Sequence, residues 1–147
     1  TTELKEQFFE GAPKVLATGL RATLTEGVDY AGDRLDAAVI AGVPIAGSNT
    51  PRGKAIKHAY EDRYGDGVGF RYGFTVPAVR KTRQALGRVI RNTDDVGTRV
   101  LLDERYTNIS TSRNNVRSIF PDEAINEFEN IQLADLDAAV KTFWQDR

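Results

Sequence analysis

The apolar positions of the chain change period along its length, and each change marks an expected element. From Glu3, ELKEQFFEGA groups its apolar residues on one side of a short helix, which Gly11 and Pro13 stop. KVLATGL is an apolar run of strand length, expected to form a short buried strand from Lys14 to about Leu20. RATLTEGVDYAGDRL, punctuated by Gly27 and Gly32, reads as an irregular loop. A second apolar run, DAAVIAGVPI, predicts another buried strand that Pro44 closes. In GSNTPRGKAIKHAYEDRYGDG a helix starts at Asn49 or Thr50, carries Pro51 in its first turn and stops at Gly65 and Gly67. GFRYGFTV is aromatic, and its pattern assigns it to no element. GTRVLLDE, from Gly97, predicts a third strand; Asp122 to Glu129 and Leu133 to Trp144 are the last expected helices. Strands separated by helices, two of them nearly all apolar, indicate a single α/β domain with a largely parallel sheet.

The strongest helical pattern follows Pro77. On a wheel of about 100° per residue, Arg80, Lys81, Gln84, Gly87, Arg88 and Arg91 share an arc of about 120°. Ala78, Val79, Ala85, Leu86, Val89 and Ile90 fill the opposite side, and Arg83 lies near the border. An expected helix over residues 78–91 therefore has an apolar back and a basic front. From Arg71 through Arg91 there are six basic residues and no acid, whereas a solvated helix face usually mixes signs to gain from pairs three or four apart. Gly87 inside a helix costs about 1 kcal/mol relative to alanine. Its place on the charged face leaves a gap that a small anion or a second surface could use.

Composition narrows the uses of that front. The 147 residues suffice for one domain with a core, and the formal net charge of -1 means that any anion-binding surface is a local patch. With no cysteine and the single histidine His58, the chain offers no disulfide, thiolate metal site or cysteine nucleophile. No apolar run approaches the roughly 20 residues that cross a bilayer, so no membrane partner is expected. The start TTELKEQ and the absence of methionine raise the expectation of a segment from a larger protein. Arg88 and Arg91 on one face, with the Gln84 amide beside them, suit phosphate, because planar guanidinium groups bind its oxygens in a fork and stay charged. Such arginines also stabilise charge developing on a transferred phosphoryl group.

These residues also match a known family. QALGRVIR resembles the Q-x-x-G-R-x-x-R signature called motif VI in superfamily 2 helicases, and NTDDVGTRVLLDERY resembles the D-x-G … D-x-R ending of the XPD-like and DinG-like branch. LTEGVDYAGDRLDAAVIAGVPI is similar to that branch's motif V region, E-G-[I/V]-D, a glycine, then an apolar strand closing in G-x-P. The resemblance covers about residues 15 to 106. It implies a RecA-like, P-loop NTPase-like domain: the second lobe of a two-lobe motor, with ATP and Mg2+ bound between the lobes and closure of the lobes moving single-stranded or forked DNA. It further implies that Arg88 and Arg91 are the arginine fingers facing the γ-phosphate, that Gln84, Gly87, Asp29 and Gly27 line the nucleotide site, and that Thr25 and Glu26 couple ATP to DNA.

Departures from the family pattern set further expectations. No G-x-x-x-x-G-K-[ST] occurs, the nearest lookalike being SNTPRGKAIK, so the phosphate-binding loop must come from an N-terminal RecA-like lobe of the same parent chain. The four cysteines that hold an iron-sulfur cluster in many such helicases belong to that first lobe, and this chain has none. The early part of the second lobe, with its motif IV strand, also looks cut off, which gives an N-terminally truncated lobe incapable of a full ATPase cycle alone. The location implied is the cytoplasm, at the nucleoid, of a prokaryote or the nucleus of a eukaryote. Two other readings stand beside this one: a stand-alone nucleic-acid-binding module that never needs ATP, and a degenerate regulatory lobe without ATPase activity. Arg71, Tyr72 and Phe74 form an aromatic and basic cluster that either stacks single-stranded DNA or packs in the core, the simpler account for Phe70 and Phe74.

Overall fold

The computed structural model describes residues 2–20, 35–90, 92–111 and 115–146. Helix α1 (Thr2–Phe9) opens the chain as the apolar grouping predicts. The following segment departs from expectation, because Lys14 to Leu20 forms no strand and Val15 is 97% exposed. A strand must satisfy its backbone N–H and C=O groups on a neighbour. Among the described residues that pairing is made only between β1 (Ala37–Ala41) and β2 (Thr98–Leu102), which lie parallel with Val39 beside Val100.

The crossover between the two strands is helical. Thr50 caps α2 (Pro51–Tyr64), its hydroxyl accepting from the Gly53 N–H at 3.1 Å, and Pro51 occupies the first turn, where a missing N–H leaves no bond unmade. At the other end the Gly65 N–H donates to the Glu61 carbonyl at 2.8 Å, so both predicted boundaries hold. The aromatic stretch is helical as well. Arg71–Thr75 is a wider π-helical segment that runs without a break into α3 (Val76–Leu86). The wide turn lies immediately ahead of Pro77, whose ring and absent N–H would kink an α-helical rod at that point.

β2 leads through a short 3-10 turn at Glu104–Tyr106 towards the brief helix α4 (Asp122–Asn126), shorter than expected, and α5 (Leu136–Gln145) closes the described chain. The α/β class with a parallel sheet therefore stands. Two apolar clusters hold it together. Val79 of α3 meets Tyr106, Val116 and Phe120 beyond β2, while Ile40 of β1 meets Ala85 and Leu86 at the end of α3. Leu101 packs against both clusters and so links β2 to the two places where α3 meets the core. No described helix is long and apolar enough to cross a membrane.

Candidate functional site

Helix α3 buries the side that the apolar spacing assigns to the core: Ala78, Val79, Ala85 and Leu86 are buried, as is Val89 just beyond the helix. Arg80, Arg83, Gln84 and Gly87 are exposed on the other side. The helix stops earlier than the pattern predicts. It ends at Leu86, and a tightened turn follows in which Gly87 donates to the Arg83 carbonyl at 2.9 Å, Arg88 to Ala85 at 3.2 Å and Val89 to Leu86 at 3.2 Å. Gly87 thus caps the helix, and the cost of a glycine in a helix interior does not arise there. Its exposed α-carbon faces no side chain; an added Cβ would meet the Arg83 carbonyl at 3.2 Å.

The turn changes where Arg88 points. Instead of extending the exposed stripe, Arg88 is half-buried and borders a broad open cleft of about 1440 Å³ together with Leu20, Ile40, Pro44 and Ala85. Gln84 is one turn back on the same helix and exposed. The N-terminal segment, β1 and the end of α3 therefore share one cleft, in which Lys14 and Arg88 are accompanied by Glu6, Glu10 and Asp36. Arg91, Thr25, Glu26, Gly27 and Asp29 lie outside the described residues.

A buried hydrogen-bond relay fixes the end of α3 that carries these groups. The Tyr106 hydroxyl donates to the Gly42 carbonyl at 3.1 Å, at the end of β1. With that proton committed, Thr82 of α3 donates its own hydroxyl to the Tyr106 oxygen at 3.2 Å. Thr82 is 0% exposed, and burial pushes the Tyr106 phenol above its ordinary pKa of 10.0, the Thr82 bond partly opposing the shift. The relay ties α3 to the ends of both strands. Sequence reasoning missed Thr82 and Tyr106, although Thr82 falls in the middle of the apolar arc, and a hydroxyl there signals a buried partner.

The D-x-G and D-x-R groups gain physical roles. Asp95 accepts the Asn92 N–H at 2.9 Å and shapes the turn before β2. Gly97 is buried where a Cβ would collide with Val89 Cγ1 and stand 3.0 Å from the Asp36 carbonyl, so only glycine lets β2 start against the turn after α3. At the far end of β2, Arg105 grips Asp103 in a fork, Nε to Oδ1 at 2.7 Å and Nη2 to Oδ2 at 2.5 Å. These bonds hold the Asp103 carboxyl below its ordinary pKa of 3.8 against the opposing effect of burial. They hold the Arg105 guanidinium above its own ordinary value. Among the described residues no group of three or more His, Cys, Asp or Glu is placed to hold a metal ion.

Residues 1–123 match the family described as the helicase C-terminal domain. The chain belongs to that family. Similar proteins place it in the XPD/DinG-like branch. The ATP-dependent DNA helicase DinG of Photobacterium profundum is 31% identical over 84% of this chain, which spans 17% of that relative. The general transcription and DNA repair factor IIH helicase subunit XPD of Schizosaccharomyces pombe is 33% identical over 65% of the chain, or 12% of the relative. A regulator of telomere elongation helicase 1 homolog of Caenorhabditis elegans is 34% identical over 58% of the chain, or 9% of the relative. This helicase C-terminal domain thus corresponds to a small part of each protein it resembles.

Proposed function

We propose that this domain is the second, RecA-like lobe of an ATP-dependent DNA helicase, and that Arg88 and Arg91 act as its arginine fingers. ATP would sit on a partner lobe of the same parent protein, because this sequence has no G-x-x-x-x-G-K-[ST] loop. When the lobes close, the guanidinium groups meet the γ-phosphate and stabilise the charge that spreads over its oxygens as the phosphoryl group passes to water. On the same reading Gln84, Gly87, Gly27 and Asp29 contribute to the nucleotide site, and Thr25 and Glu26 pass the closure on to single-stranded or forked DNA. Magnesium would arrive with the nucleotide, and the cysteine-free chain offers no thiolate to an iron-sulfur cluster. Both belong to the partner lobe if the parent uses them. The work would take place at the nucleoid in a prokaryote or in the nucleus of a eukaryote.

The observation that carries this reading is the half-buried Arg88 bordering an open cleft, one turn from the exposed Gln84, in a chain of the helicase C-terminal domain family. The test is DNA-stimulated ATP hydrolysis by the parent helicase. Arg88→Ala is expected to lower turnover by about 10³- to 10⁵-fold with an unchanged melting temperature, and the chain alone is expected to show no turnover. Near-normal turnover in Arg88→Ala and Arg91→Ala would sink the assignment. The stand-alone nucleic-acid-binding reading draws on the excess of positive charge around α2 and α3, and it predicts steeply salt-dependent DNA binding that is indifferent to ATP and to Arg88.

A further inference from the structure

The aromatic residues around the π-helical segment separate into two sets. Phe70 and Phe74 stack on each other with centroids 5.5 Å apart, and Phe74, 3% exposed, belongs to the core. The tyrosines turn the other way. Tyr60 and Tyr64 of α2 and Tyr72 of the π-helical segment form a closed cluster with centroids 6.1, 6.2 and 5.9 Å apart, yet Tyr64 is 58% and Tyr72 45% exposed. Packing of the core does not account for large rings left in water.

Their arrangement is enforced from beneath. Gly69 is buried against α2, where a Cβ would strike the Lys57 carbonyl and lie 2.7 Å from Lys57 Cγ and 2.9 Å from Glu61 Cγ. One turn on, a Cβ at Gly73 would stand 3.0 Å from Ile56 Cγ2 and 3.6 Å from the Tyr60 ring. The two glycines bring the helical segments close enough for Tyr72 to reach the rings of α2. The extra residue in the π-helical turn helps set the direction of Tyr72 while Phe74 stays inside.

Charge completes the surface. The Arg63 guanidinium lies over the Tyr64 ring at 5.6 Å, and the exposed Arg71 precedes Tyr72. From Arg52 to Arg83 there are eight basic residues against three acidic ones, in a chain whose net charge is -1. Lys57 is matched locally by Glu61 at 3.7 Å, and most of the excess remains. A positive surface bearing preformed aromatic faces is complementary to a strand with anionic phosphates and unpaired bases, because each base has a face to stack and each phosphate a charge to neutralise.

We propose that Tyr60, Tyr64 and Tyr72 form a stacking platform for the bases of single-stranded DNA, with Arg63 and Arg71 engaging the adjoining phosphates. The site rests on the reading of the domain as part of a DNA helicase, and it is separate from the cleft at Arg88. Because the rings already stand together, binding orders few side chains. Sequence preference is weak, since stacking accepts any base.

The test compares the whole chain's affinity for fluorescein-labelled oligothymidylate and for an abasic oligomer of equal length, by anisotropy. The wild type is expected to prefer the oligomer with bases. Tyr64→Ala and Tyr72→Ala should each weaken it by about 5- to 150-fold, towards the abasic value, whereas Tyr64→Phe and Tyr72→Phe keep wild-type binding. Oligomers carrying 5-iodouracil should crosslink under light to Tyr64 or Tyr72, identified by mass spectrometry. Equal affinity for the two oligomers, binding of neither, or alanine variants that bind DNA as the wild type does and lose only a protein contact would each overturn the platform. Such failures leave the Arg88→Ala effect on ATP turnover standing. Failure of the lobe reading appears instead as turnover indifferent to Arg88, with the tyrosine effect intact.

Discussion

Asp103 and Arg105 show how two residues of a sequence motif act as one physical unit. The carboxylate receives both the guanidinium fork and the Arg105 backbone N–H at 3.0 Å, and its pKa falls below 3.8 as a result. A carboxyl depressed by folding contributes stability above its unfolded pKa, and the contribution is lost as pH falls through the lower folded value. Asp103→Asn is therefore expected to cost about 1 to 3 kcal/mol at pH 7. The difference from wild type should narrow as pH is taken below the ordinary carboxylate value. Melting curves at pH 7 and in acid check this; a gap that stays constant would mean that the fork does not hold charge. The D-x-R spelling was legible in the sequence. Its geometry was not, because the Arg105 backbone N–H reaches the carboxylate only where the chain leaves the strand and turns, as it does in Glu104–Tyr106.

Between elements, the relay from Thr82 through Tyr106 to Gly42 positions the end of α3 against both strands. Tyr106→Phe removes the shared hydroxyl and leaves the Gly42 carbonyl and the buried Thr82 hydroxyl to find other partners. A loss of about 1 to 3 kcal/mol is expected, read as a lower midpoint in urea with an unchanged slope. An unchanged midpoint would show that water replaces the phenol. At this scale the sequence was informative where local chemistry decides. Thr50, Pro51 and Gly65 marked both ends of α2, and the apolar arc of α3 identified its buried side. It failed where tertiary partners decide. Lys14 to Leu20 has a strand's composition and finds no strand beside it, and the periodic pattern continues past Leu86 although the backbone has already turned. Val89 is nonetheless buried, which explains why the pattern looked unbroken. Gly27 and Asp29, the motif V positions, lie outside the described residues, so their assignment rests on the sequence.

Across the whole molecule, the near-zero charge conceals a division: α2 and α3 carry a positive excess, and the rest of the chain is correspondingly acidic. The positive part of that division includes the surface proposed above to meet single-stranded DNA. The sheet imposes a different consequence, in time. Residue 39 sits beside residue 100, and nothing between them can bring the strands together until α2 and α3 have formed and folded back. Helices form in microseconds, whereas such distant parallel pairing is slow. Ile40→Val is accordingly expected to speed unfolding and leave the refolding rate nearly unchanged in stopped-flow measurements; slowed refolding would place the sheet in the nucleus. During synthesis at about 5 to 20 residues per second, β1 leaves the ribosome several seconds before its partner exists. For that interval Ile40, the one β1 residue the folded domain buries, waits in water for its cover.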